Sequence, residues 1–359
     1  MKAYVLQNIG DIKLKDVPNP VPAEKEVLVK IKACGICGSD IPRIFRDGTH
    51  KMPLIPGHEF SGEVAALGKG VDRHLLHKRV GIFPLIPCRE CVACRLEKYE
   101  LCRNYSYLGS RRDGGFAEYA SVPAKNLIEL PDTVSFEAAA MLEPMAVAVH
   151  AMRRTKPRTE DKIAVCGLGT IGILLVMFLK EAGFKHIFVI GNKEFQKATV
   201  LKTGVSEDCF FDSGQLRDAC SKDRNRGVGL WLMEKTDGMG ADVFFECVGR
   251  NETIINALDL TAVSGKVCLV GNPFSDIEVP RDTYWKILRN QLTVTGTWNS
   301  SFTGKADDDW HYALEKLSDG RVMPQKLITQ KLSLKELGDG LRIMRDKTED
   351  YIKIMGVYQ

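Results

Sequence analysis

At 359 residues the chain is too long for one small core and long enough for two domains. Hydrophobic residues at 44% and charged residues at 27% are the proportions of a water-soluble globular protein. A net charge of +4, with acids and bases interleaved, offers no basic stripe for nucleic acid, although it leaves room for a local basic pocket.

The N-terminal Met1-Lys2-Ala3-Tyr4-Val5-Leu6 turns polar at once, and no apolar signal segment follows. The longest apolar run, Ile171 to Leu179, is too short to span a bilayer. A cytoplasmic protein with no membrane partner is therefore expected. In that reducing compartment, eleven cysteines suit metal binding better than disulfides.

Taken in chain order, the first third alternates and turns often. Val27, Val29 and Ile31 alternate with Leu28, Lys30 and Lys32, a strand with one more polar face. Then comes Cys34-Gly35-Ile36-Cys37-Gly38-Ser39-Asp40. About twenty residues on, Gly57-His58-Glu59-x2-Gly62-x5-Gly68-x2-Val71 offers an imidazole, a carboxylate and glycines for tight turns. Cys37, His58 and Glu59 make a plausible catalytic zinc set with one open position. Cys34 reads as a buried small apolar residue.

Cys88-x2-Cys91-x2-Cys94-x7-Cys102 is the strongest single signal. Three thiolates converge from one loop and the fourth closes a tetrahedron, as in a structural zinc site. An iron–sulfur cluster is the competing use of four thiolates. Arg95, Glu97 and Lys98 make this lobe polar. Ser110-Arg111-Arg112 follows, a donor-rich loop before a Gly-Gly turn, suited to a phosphate because arginine's planar fork pairs with it. His50 is a further candidate donor near that pocket.

After about Arg154 the pattern changes. Ile163 to Cys166 reads as a buried strand, Thr170 to Ala182 as a helix closed by Gly183, and His186 to Ile190 as the next strand. Val243 to Glu246 and Lys266 to Val270 are further strands, with a helix from Glu252 to Ala262 between them. This alternation signals a parallel sheet wrapped by helices. Gly167-Leu168-Gly169-Thr170-Ile171-Gly172 joins the first strand to its helix, the setting in which this motif cradles a dinucleotide pyrophosphate. A strand-like run from Leu292 to Thr297 leads into mixed polar sequence. The expected organisation is α/β overall: a mostly β catalytic domain over 1–150, an inserted Rossmann-type domain over 151–290, and a return segment over 291–359.

In combination and order, these motifs resemble the zinc-containing medium-chain alcohol dehydrogenases over essentially the whole chain. The stretches Gly38 to Phe45, Leu108 to Tyr119 and Gly296 to Asn299 look most like the polyol members, the sorbitol and galactitol-1-phosphate dehydrogenases. The resemblance implies a GroES-like β domain around the Rossmann domain and two zinc ions per chain, one catalytic and one structural. It also implies hydride exchange between a nicotinamide nucleotide and a polyol or polyol phosphate, galactitol 1-phosphate to tagatose 6-phosphate being the first choice. An unphosphorylated secondary alcohol such as sorbitol is the alternative, and a homodimer or homotetramer the implied assembly.

By the same resemblance the catalytic zinc falls to Cys37, His58 and a glutamate, either Glu59 or Glu143 in Leu142-Glu143-Pro144. Ser39 is the expected first proton acceptor. Two departures stand out. Pro42 and Arg43 occupy the region where some members relay protons through a histidine. Gly191, followed by Asn192 and Lys193, replaces the acidic residue that usually holds the NAD ribose, so use of NADP(H) at least as well as NAD(H) is expected. Two other functions compete: a catalytically inactive, metal-stabilised binding protein, and a nucleic-acid-binding zinc module.

Overall fold

A computed structural model describes residues 1–216 and 221–358. The chain forms two compact units, Met1–Ala146 with Ser300–Gln359, and Val147–Asn299.

The first unit is built on a seven-stranded sheet. Its central strand Glu26–Ile36 buries Val27, Val29 and Ile31 and leaves the intervening side chains partly exposed, so the alternation in the sequence marks the core face. Cys34 is fully buried in the same core. Two neighbours of this strand matter for the site. The antiparallel strand Glu59–Leu67 pairs Glu59 with Gly35. The C-terminal strand Lys353–Val357 lies on the other side and pairs Ile354 with Ile36. Residues far apart in sequence are thereby brought to one end of one sheet.

The second unit is a six-stranded parallel sheet. Its strand order is Phe210–Asp212, Ile187–Gly191, Ile163–Cys166, Ala241–Glu246, Thr261–Leu269 and Thr293–Gly296. This is the doubly wound order, with its reversal beside Ile163–Cys166. All four residues of that strand are buried, as expected for a parallel strand covered on both faces. The helix Thr170–Glu181 starts where the glycine motif places it. The strand Thr293–Gly296 pairs with Thr261–Leu269, so residues 291–299 extend the second unit's sheet instead of opening the return segment. No helix among the described residues is long and apolar enough to cross a membrane.

Candidate active site and metal centres

Cys37 leaves the end of the central strand; His58 immediately precedes the strand beside it, and Glu59 opens that strand. Glycines make the approach possible. A Cβ at Gly35 would collide with the Glu59 carboxylate, and one at Gly57, where φ is +92°, would lie 2.4 Å from the Phe116 ring. Donor atoms of Cys37, His58 and Glu59 all lie within 4.8 Å of one another.

Buried partners hold these donors. Asp40 accepts the Cys37 N–H through Oδ2 at 3.0 Å. Its Oδ1 lies 3.3 Å from His58 Nδ1 without a well-aligned hydrogen bond. Asp40 thus stands behind the ring at Nδ1, on the side away from Nε2, the nitrogen left for a metal. Burial pushes the Asp40 acid up, but His58, Arg43 and the Cys37 N–H together outweigh it and hold the acid below its ordinary value. Glu59 is paired with the ammonium of Lys353, both almost fully buried, and Lys353 also donates to Ile36 O at 3.1 Å. A thiolate, an imidazole and a carboxylate, each backed by an outer partner, fit a zinc ion with an open position.

Glu143 lies in the first turn of Leu142–Thr155 and accepts from Tyr107 Oη at 3.2 Å. Burial lifts its acid to about 6, with His58 opposing the shift and Glu59 adding to it. Tyr107 in turn presents its ring edge-on to His58, with centroids 5.8 Å apart. Glu143 thus feels the donor set but stands outside the group of three. Ser39 Oγ lies 3.3 Å from Cys37 Sγ and accepts from Arg43 Nη1 at 3.1 Å. Its hydroxyl makes no helix-capping bond, which leaves it committed to the site.

The phosphate donors expected from sequence are placed differently. Arg112 forms an ion pair with Glu26 at 2.7 Å. Arg111 lies over the Tyr105 ring at 4.4 Å and donates to Tyr105 O at 3.3 Å. His50 is exposed. None of the three belongs to the cluster around Cys37. Sequence reasoning missed Tyr107 and Lys353, and it treated Arg43 only as the replacement for a relay histidine. Lys353 carries no local signal; its role appears only when the C-terminal strand pairs with the central one.

The four-cysteine lobe forms a second donor set, again within 4.8 Å. Sulfur separations are 3.9 Å for Cys88–Cys94, 3.9 Å for Cys91–Cys102 and 3.4 Å for Cys88–Cys102. A tetrahedron with Zn–S bonds of about 2.3 Å has edges of about 3.8 Å, so one ion fits. A multi-iron cluster would hold its thiolates farther apart. Backbone N–H groups of Cys94 and Arg103 lower the Cys91 thiol to about 6, readying a thiolate for a metal. Lys305 pairs with Glu97 and ties the lobe to the segment after residue 300.

In the second unit, Gly167 has φ +98° and follows the strand Ile163–Cys166 directly. A Cβ at Gly172 would lie 1.9 Å from Gly167 O, while Gly169 faces open space. Gly169 caps the helix without a side chain, so Thr170, Ile171 and Gly172 open a helix whose N-terminus can receive a pyrophosphate. Gly191 ends the second strand. Asn192 is exposed, and Lys193 Nζ lies 5.2 Å from the Phe195 ring centroid.

Residues 23–132 match the alcohol dehydrogenase GroES-like domain, and residues 170–319 match the zinc-binding dehydrogenase family. Galactitol 1-phosphate 5-dehydrogenase of Escherichia coli (strain K12) is 31% identical over 343 residues, covering 95% of this chain and 96% of that protein. Sorbitol dehydrogenase of Bacillus subtilis (strain 168) is 30% identical over 360 residues, covering 99% and 96%. A solved zinc-binding dehydrogenase from Sinorhizobium meliloti 1021, bound to NADP, superposes with a TM-score of 0.86 at 27% identity, covering 99% and 98%. With these likenesses running the length of both units, the chain belongs to the zinc-dependent medium-chain alcohol dehydrogenase family, oxidoreductases that act on CH–OH groups.

Proposed function

We propose that the protein oxidises a secondary hydroxyl of a polyol or polyol phosphate, reversibly, with galactitol 1-phosphate to tagatose 6-phosphate as the first pair to test. The carrying observation is the convergence of Cys37, His58 and Glu59 beside Ser39 Oγ, 3.3 Å from Cys37 Sγ. Cys37, His58 and Glu59 would hold a zinc ion, which would supply the Lewis acidity that lowers the pKa of the substrate hydroxyl. The Gly167–Gly172 turn would hold a nicotinamide nucleotide, which would supply the hydride acceptor.

The protein's own groups do the rest. Ser39 accepts the hydroxyl proton while passing its own on toward solvent. Asp40 holds the His58 ring in place, and Lys353 balances the charge of Glu59. Glu143 is available to exchange with water at the open position, and Tyr107 restrains it.

A turnover screen of polyols and polyol phosphates with each nucleotide tests this reading. Nucleotide-dependent oxidation of at least one polyol is expected. Purified zinc-loaded protein that binds nucleotide yet turns over none would favour the inactive binding protein.

NADP(H) use at least equal to NAD(H) is part of the proposal. Gly191 brings no carboxylate to repel a 2′-phosphate, and Lys193 offers a positive charge. A Cβ at Gly191 would press on Leu168 Cδ1 at 2.8 Å, so Gly191→Asp also requires that side chain to shift. Unchanged nucleotide preference in Gly191→Asp with Lys193→Ala would remove these residues from the argument. We also propose a homo-oligomer. Support comes from the sheet-edge strand Thr293–Gly296 and from exposed Trp285, Leu288 and Val294. Light scattering at a single 40.0 kDa chain mass would contradict it.

A further inference from the structure

We propose that Arg43 is the receptor for an anionic group on the substrate, phosphoryl or carboxylate, so that the site selects acidic polyols over neutral ones. This rests on the polyol dehydrogenase reading above and assigns the specificity of that same site.

Arg43 enters the site from the segment after Cys37. Its Nη1 donates to Ser39 Oγ at 3.1 Å, and that oxygen is 3.3 Å from Cys37 Sγ. One hydroxyl contact uses one of the guanidinium's five N–H donors.

Three other arginines are occupied by carboxylates. Arg46 pairs with Asp47, Arg112 with Glu26, and Arg345 with Asp346. Arg43 is half-buried, and among the described residues no carboxylate lies within ion-pairing distance of it. Asp40, the carboxylate nearest in sequence, turns Oδ2 to the Cys37 N–H and Oδ1 toward His58 Nδ1, 3.3 Å away. A partly desolvated guanidinium without an anion is costly, and a ligand anion relieves that cost. Its planar fork suits the paired oxygens of a phosphate or a carboxylate.

Position adds to the chemistry. With Ser39 at the reacting hydroxyl, Arg43 stands one hydrogen bond away, at 3.1 Å from Ser39 Oγ, on the same side as the reacting group. Arg111, stacked on Tyr105, is the competing receptor, one aromatic ring farther from Tyr107.

The test compares zinc-loaded wild type with Arg43→Gln, Arg43→Lys and Arg111→Gln. Substrates are galactitol 1-phosphate, galactonate and galactitol, each with saturating NAD or NADP. The readout is the ratio of kcat/KM for an anionic polyol to that for galactitol, with calorimetric Kd for galactitol 1-phosphate as a second measure. Wild type should favour one anionic polyol by at least about 30-fold, and Arg43→Gln should cut the ratio by roughly 10- to 100-fold, mainly through KM and Kd. Arg43→Lys should keep part of it, since charge remains while the fork is lost. Whichever anion wins separates phosphoryl from carboxylate recognition. A ratio unchanged in Arg43→Gln, with all substrates falling together, would overturn the inference and assign Arg43 to the reacting oxygen or the fold. Collapse of the ratio in Arg111→Gln alone would also overturn it. Wild-type preference for galactitol would overturn it while leaving the polyol reading intact, whereas no turnover of any of the three, with another polyol turned over in the wider screen, would overturn the inference alone, and no turnover of any polyol would overturn both.

Discussion

The two donor sets differ in how far the chain travels to build them. The lobe takes all four sulfurs from Cys88 to Cys102, a single loop. The open set takes Cys37 from the end of one strand and His58 and Glu59 from the start of its neighbour. It then draws Lys353 from the C-terminal strand and Tyr107 and Glu143 from two other segments. A local set of identical thiolates makes a closed site that holds structure. A long-range set of unlike donors leaves a position open, and its properties are set by what stands behind each donor.

The largest effect that separates the two sets is the loss of one donor from each. Cys37→Ser should lower kcat by at least about 1,000-fold, because the substrate hydroxyl loses its activation. The protein should keep one zinc and a melting temperature near wild type. Cys94→Ser should do the reverse, keeping the open-site zinc and lowering Tm by roughly 10 °C as the lobe loses its ion. Metal analysis with calorimetry on both variants reads this directly. Two variants with the same loss of activity and the same loss of metal would erase the distinction.

A smaller effect tests whether the open set depends on residues distant in sequence. Lys353→Met should destabilise the fold by about 3–5 kcal/mol, since it strands the buried Glu59 carboxylate. Lys353→Arg should recover part of that, and Lys353→Met combined with Glu59→Gln should recover more. Chemical denaturation measures it. A Lys353→Met protein as stable as wild type would mean that Glu59 is neutralised by the metal alone.

The smallest effect concerns Arg112, which the structure engages with Glu26. Burial pushes the Glu26 acid up, but Ser121 and Arg112 outweigh it and hold it below the ordinary range. That contribution to stability is present above the usual carboxylate pKa and fades as pH falls through the lowered one. Arg112→Ala should therefore lower Tm by about 2 °C at neutral pH, with the deficit shrinking in acid. Its ratio of anionic to neutral turnover should match wild type. A changed ratio would return Arg112 to the substrate pocket.

The same contrast explains what the sequence made legible. The lobe was readable because its information lies in spacing along one loop. The nucleotide turn was readable because strand, glycines and helix are contiguous. Cys37 and His58 were readable as residue types in motifs, and the register Gly35 to Glu59 supplies their meeting point. Lys353 was invisible because an isolated lysine near a chain end signals only solvent, and burial beside Glu59 follows from sheet pairing alone. The Arg111-Arg112 pair is the opposite case. Two adjacent arginines look like an anion site in sequence, but one partners Glu26, 86 residues away, and the other stacks on Tyr105.

The central claim is that one chain carries two zinc ions, of which only the open one performs the reaction. Timed chelation tests it most directly, with zinc per chain, polyol turnover and Tm followed on the same sample. Activity should vanish as the first zinc leaves, while Tm holds until the second, four-sulfur zinc is lost. Activity that persists until both zinc ions are gone, or a lobe that holds iron, would contradict the account.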